Sequence, residues 1–137
     1  MKYWLLKTEP EEWSWNQQVK SGNIGAEWNG VRNFQAAKNL RNMKKGDKCF
    51  FYHTGKIKSI VGIAKIRKEA FIDKSDKTKK FVSVIIQALY PLKREVSLDE
   101  IKKNKVFKDF SLVRQRRLSV MKVDLKYWKK ICKMGKV

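Results

Sequence analysis

The single histidine, His53, and the carboxylates Glu9, Glu11, Glu12 and Glu27 are the residues of this chain best suited to moving a proton. A histidine held against a carboxylate makes a general acid–base pair, but no spacing here brings the two together. A lone His that closes an apolar stretch is more often a hydrogen-bonded structural residue. Carboxylates near a helix start more often face its dipole. Cys49 and Cys132 form no CxxC pair, and with one His they fall short of the four ligands of a structural zinc site. No glycine-rich phosphate loop or nucleophile elbow occurs. The residues indicate no catalytic role, no metal and no cofactor. An enzyme with His53 or Glu9 as acid or base ranks below a binding role.

The run Trp28-Asn29-Gly30-Val31-Arg32-Asn33-Phe34 carries a different chemistry. Trp is costly to leave in solvent. Gly30 lets backbone approach a ligand closely. N–H groups at the start of a following helix can receive an anion or a carbonyl. These residues alone leave two readings open: Trp28 lines a ligand pocket, or it plugs the end of a sheet.

Charge narrows the partner. The chain has 33 basic and 13 acidic residues, a net charge of +20, so a polyanion is the first ligand to consider. Lysines number 26 and arginines 7. Part of that excess reads as solvated decoration and part as a phosphate-attracting face. A basic protein that binds RNA through charge alone is the main rival to a pocket. No apolar run reaches bilayer length, so no membrane partner is expected. The start, Met1 to Lys7, is charged too early for a secretory signal. A reducing, cytoplasmic compartment fits the two cysteines.

The frame that must hold these residues is α+β. Its 137 residues, 42% of them apolar, suffice for one domain over 1–137. Lys2–Lys7 reads as a first strand broken by Glu9-Pro10. Ser14 and Gln17 fit a capping box for a short helix that ends by Ser21-Gly22. Gly22–Arg32 reads as irregular. Asn33 caps a second helix to about Met43, with Phe34, Ala37 and Leu40 on its apolar face. Strands follow at Lys48–His53, Ser59–Phe71 and Phe81–Tyr90, the last ended by Pro91. Ser97 and Glu100 cap a helix over Leu98–Lys103. Leu118–Met121 reads as a last strand, and Asp124 opens a helix with Leu125, Trp128, Ile131 and Cys132 on one face. The sum is a small, five-stranded, mostly antiparallel barrel-like sheet with peripheral short helices.

Motifs in a fixed order resemble the EVE domain family. They are Tyr3-Trp4-Leu5-Leu6-Lys7-Thr8-Glu9-Pro10, then Trp28 to Ala36, Met43 to Asp47, Phe51-Tyr52-His53-Thr54, Val61 to Ala64, and Arg117-Leu118-Ser119-Val120. The resemblance implies a PUA-like fold, related to YTH and ASCH domains. It also implies a module that binds RNA or DNA, modified or single-stranded, with a modified base in a pocket; the alternative is an enzyme acting on a modified nucleotide in that same pocket. By position, that pocket takes Thr8, Glu9 and Pro10, the run Trp28, Asn29, Gly30, Val31, Arg32, Asn33 and Phe34, then His53, Thr54, Leu118 and Ser119. Arg32, Lys38 and Arg117 are expected on phosphates. Phe34 stands where the family usually has Tyr, and Thr8 where Ser is common.

Overall fold

A computed structural model describes residues 1–137. The elements run β1 (Tyr3–Thr8), α1 (Trp15–Lys20), β2 (Ala26–Trp28), α2 (Phe34–Asn42), β3 (Lys48–His53), β4 (Ser59–Ile72), β5 (Val82–Ser97), α3 (Leu98–Lys103), α4 (Ser111–Arg114), β6 (Val120–Val123) and α5 (Leu125–Met134). The strands form one sheet in the order β2-β5-β4-β3-β1-β6. All ladders are antiparallel except β1 with β3. The expected meander of the three central strands is present as β3-β4-β5.

Six strands form where five were expected. The added one is β2, three residues long, inside the segment read as irregular; it pairs Ala26–Trp28 with Ile86–Val84. The sheet is not closed, with β2 and β6 as its two edges. Pro91 does not end β5, which continues to Ser97. Beyond Ile86 that strand has lost β2 as a neighbour, and Pro91 faces Gly62 where the β4 ladder shifts register. A proline, which has no N–H to donate, is tolerated where the ladder is irregular and one side is open.

Local signals hold the short helices. Ser14 and Gln17 form a reciprocal capping box on α1, Ser97 and Glu100 one on α3, and the Asn33 side chain accepts from the Ala36 N–H to start α2. Phe34 leaves the expected apolar face: it is 68% exposed, while Ala36, Ala37 and Leu40 are buried. Leu125 is exposed too, at the first turn of α5. The rest of α5 docks through Trp128, which stacks on Phe50 at 3.9 Å and on Tyr3 at 4.5 Å. Central strand β3 is almost wholly buried. Burial pushes the Cys49 thiol up to about 12, so it stays protonated and packs as a small apolar group. Both cysteines are free. No helix is long and apolar enough to cross a membrane.

Candidate functional site

The largest cleft, about 780 Å³, opens where the C-terminal end of β1 meets the loop between β2 and α2. Each wall is a turn held by buried hydrogen bonds. The β1 wall is the turn from Thr8 to Trp13. The N–H groups of Glu12 and Trp13 donate to the Glu9 carbonyl, at 2.9 and 3.0 Å. The Thr8 hydroxyl donates to the Trp13 carbonyl at 3.2 Å. Trp13 Nε1 donates to Gln18 Oε1 at 2.8 Å, and the wholly buried Gln18 donates onward to the Ile86 carbonyl at 3.0 Å. Trp13 is thus fixed to strand β5, half-buried with its remainder on the cleft.

The opposite wall is the run from Glu27 to Asn33, and a buried carboxylate holds it. Asp73 Oδ2 accepts from the Gly30 N–H at 2.8 Å and from Arg32 at 3.0 Å, while Oδ1 accepts from the Ser75 N–H and hydroxyl. Burial works to raise the Asp73 pKa, but donation from the Ser75 hydroxyl, the Gly30 N–H and Arg32 overcomes it. Asp73 is therefore held well below the usual carboxylate range. Gly30 has φ +77° with open space where a Cβ would stand, so the backbone angle requires glycine there. Arg32 also donates to the Ser75 hydroxyl and the Val31 carbonyl. Its guanidinium braces the loop, and its charge is partly spent on Asp73.

Between the walls lie Lys7, Arg116 and Arg117 as cations, and Glu9, Glu12 and Glu27 as carboxylates. The chain has three ion pairs, Arg32–Asp73, Arg94–Glu100 and Lys103–Asp99, so none of these three glutamates is paired with a cation. Glu9 is half-buried and its Oε2 accepts from the Thr54 hydroxyl at 3.3 Å. A Cβ on Gly55 would stand 2.7 Å from the same oxygen, so glycine is what lets the carboxylate lie there. Lys7 Nζ donates to the Arg116 carbonyl at 3.1 Å, and burial lowers its pKa.

Of the residues singled out from sequence, Thr8, Glu9, Trp28, Asn29, Gly30, Val31, Arg32, Asn33, Thr54, Arg117 and Ser119 line this cleft. Five do not. Pro10 is a half-buried residue of the Thr8–Trp13 turn outside the lining. Phe34 points outward against Phe81, with ring centroids 5.1 Å apart, so its missing hydroxyl leaves the cleft unaltered. Leu118 is buried in the core. Lys38 lies on the exposed side of α2. His53 is 5% exposed, and its Nε2 accepts the Trp15 N–H at 3.2 Å. Burial lowers its pKa, opposed by the Thr8 carbonyl and by Glu95 and Glu9. The Nε2 lone pair is committed to backbone and is not free to act as a base. Thr8 and Asn33 also spend side-chain atoms on turn and cap. Trp28 is 7% exposed and meets Phe51 edge-on at 5.7 Å, so it both plugs the sheet and shows an edge to the cleft.

Sequence reasoning named Glu12 and Glu27 as acids without placing them, and missed Lys7, Trp13 and Arg116. One signal was available: Arg114, Arg116 and Arg117 sit within four positions in a chain with only seven arginines. Trp13 had none, because Gln18 and the sheet behind it determine its orientation.

The profile of the EVE domain family matches residues 2–134. The chain is 37% identical over 124 residues to thymocyte nuclear protein 1 of Rattus norvegicus, covering 73% of this chain and 55% of that protein. The chain spans between about half and two thirds of the length of such curated relatives. A Rhodopseudomonas palustris protein solved by NMR is 46% identical with a TM-score of 0.94, covering 99% of this chain and 94% of that one. The human THYN1 protein, solved in complex with 5-methylcytosine containing DNA, is 28% identical with a TM-score of 0.89, covering 100% of this chain and 99% of that one.

Proposed function

The chain belongs to the EVE domain family, and from that premise we propose that it is a nucleic-acid-binding module whose cleft takes a modified base, 5-methylcytosine foremost, while nearby arginines hold phosphates. The observation that carries this reading is the trio of unpaired carboxylates, Glu9, Glu12 and Glu27, inside a cleft that also holds four cations. A carboxylate repels phosphate, so in such a cleft it costs affinity unless it meets a donor. The exocyclic amino group of cytosine is such a donor, and a Glu accepting from it is a recurring base contact. The human THYN1 protein, of the same fold, is solved with 5-methylcytosine containing DNA, which supports the same choice of base here.

In this reading Trp13 and the exposed edge of Trp28 give the base an apolar surface. Glu9, oriented by Thr54, accepts from the amino group. Arg116 and Arg117 meet the phosphates on either side. Stacking on an aromatic contributes about 1–3 kcal/mol, and extruding a base from a duplex costs a few kcal/mol. The two nearly cancel, so single-stranded or weakened sites bind best. A methyl group adds only ~1–3 kcal/mol of discrimination. An amino group matched to a carboxylate adds a sharper test, because a carbonyl in its place meets like charge.

The experiment is capture of total nucleic-acid fragments at salt that screens phosphate contacts, followed by nucleoside mass spectrometry of what is retained. Wild type is expected to enrich 5-methylcytosine and Glu9→Gln to lose that enrichment. Unselective retention by both proteins would leave charge alone as the source of binding.

A further inference from the structure

A second cleft of about 460 Å³ adjoins the first and shares Lys7, Thr54 and Arg116 with it as a common wall. Its composition differs in a way that selects a ligand. The floor is apolar: Tyr52 and Leu112 are buried, Leu98 is half-buried, and Ile57 stands 46% exposed at the rim. Exposed Lys56, Lys58 and Lys102 surround that floor. The single carboxylate in the lining, Asp99, is already paired with Lys103 at 2.9 Å. The cleft is also preformed. Lys58 holds a left-handed φ of 46°, and its carbonyl accepts the Leu98 N–H at 2.8 Å, tying the β3–β4 turn to α3.

We propose that this second cleft holds the nucleotide next in the strand to the base in the first, an assignment that rests on the function proposed above. An apolar floor inside a cationic rim suits a base and sugar flanked by phosphates. The shared wall of Lys7 and Arg116 lies where the phosphate linking two such nucleotides must pass. With its one carboxylate already paired, the second cleft has no free anionic acceptor to select an amino group, so it is expected to tolerate any base there. The arginine turn on the other side of the first cleft is different: Leu118 is its one apolar lining residue, which suits a phosphate and offers no floor for a base. The chain therefore reads one base and grips its neighbour, and its ligand is a strand rather than a free nucleoside.

The test uses the full chain and three probes: 5-methyldeoxycytidine monophosphate, and single-stranded trinucleotides with 5-methylcytosine or cytosine at the centre. Binding is measured by calorimetry across a salt series. Wild type is expected to bind the trinucleotide at least about tenfold more tightly than the mononucleotide. Lys56→Ala/Lys102→Ala is expected to lose most of that gain and to flatten the salt slope by up to about 0.7 per phosphate contact removed. Ile57→Ala is expected to lose severalfold at every salt, which a purely charge-based role would not produce. Mononucleotide binding should be unchanged in both variants, and circular dichroism reports their folding. A gain that survives both variants overturns the second cleft while leaving the first in place. Failure of every protein to prefer 5-methylcytosine over cytosine in the trinucleotide overturns the reading of the first cleft, and the second falls with it.

Discussion

The main cleft and helix α5 are both rich in positive charge, yet they are built for different work. On α5, Lys126, Lys129, Lys130 and Lys133 project around a buried seam where Trp128 stacks between Phe50 and Tyr3. Of the four, Lys126 lies over the Tyr127 ring, 5.0 Å from its centroid, and none of them lines either cleft. Around the cleft, Arg32, Arg114, Arg116 and Arg117 account for four of the seven arginines of the chain. There the turns are tied down by buried Asp73 and Gln18. The contrast teaches that net charge marks a polyanion ligand without locating it. The proposed site lies where arginines, unpaired carboxylates and immobilised turns coincide.

The sharpest way to separate the two regions is to remove an aromatic from the α5 seam. Trp128→Ala is expected to cost about 3–5 kcal/mol of stability, read from urea denaturation, while the folded fraction keeps its base preference. Next is the clamp of the cleft. Asp73→Asn puts an amide NH2 where one of the two acceptor oxygens stood, so the donors on that side lose their acceptor, and it is expected to cost about 1–3 kcal/mol. It should also change the pH response. Hydrogen bonds hold the Asp73 carboxyl below its usual range, and the Asp76 carboxyl, held chiefly by the Thr78 hydroxyl, titrates at about 2. Both contributions are present above the unfolded carboxylate pKa of about 3.9 and are lost as pH falls through the folded values. Wild-type stability should therefore decline below about pH 4, and the variant should decline less steeply.

Gly55→Ala is a finer probe. Its new Cβ would crowd Glu9 Oε2 at a backbone angle of +74° that disfavours alanine. The expected result is a modest loss of stability with a severalfold loss of discrimination between 5-methylcytosine and thymine. The smallest effect belongs to Lys129→Ala/Lys133→Ala on α5, which should leave selectivity unchanged and alter affinity only at low salt.

What was legible in the sequence was what short-range chemistry decides. Ser14 with Gln17 and Ser97 with Glu100 announce their helices because both halves of each capping box lie within one turn. β3 was read to its ends because a central strand needs apolar residues on both faces. β2 and the far half of β5 were hidden. A three-residue strand has too few positions for a pattern, and Pro91 reads as a terminator until the neighbouring edge is known to be vacant. The cleft was half visible. Its Trp28–Asn33 wall is one contiguous segment, whereas Trp13, Glu12 and Arg116 arrive through the Gln18 bridge and the turn after α4. The resemblance implied Phe34 and His53 as pocket residues, but helix phase turns Phe34 outward, and the α1 backbone occupies His53.

The most direct measurement is competition, at screening salt, between two single strands that differ at one base, 5-methylcytosine or thymine. Both bases carry the same methyl group and differ chiefly in an amino group against a carbonyl. Wild type is expected to prefer 5-methylcytosine by tenfold or more, since a matched base-edge contact is worth about 1–3 kcal/mol, and Glu9→Gln to lose most of that preference. Equal binding of the two strands by wild type, or a preference that Glu9→Gln keeps intact, would contradict the account.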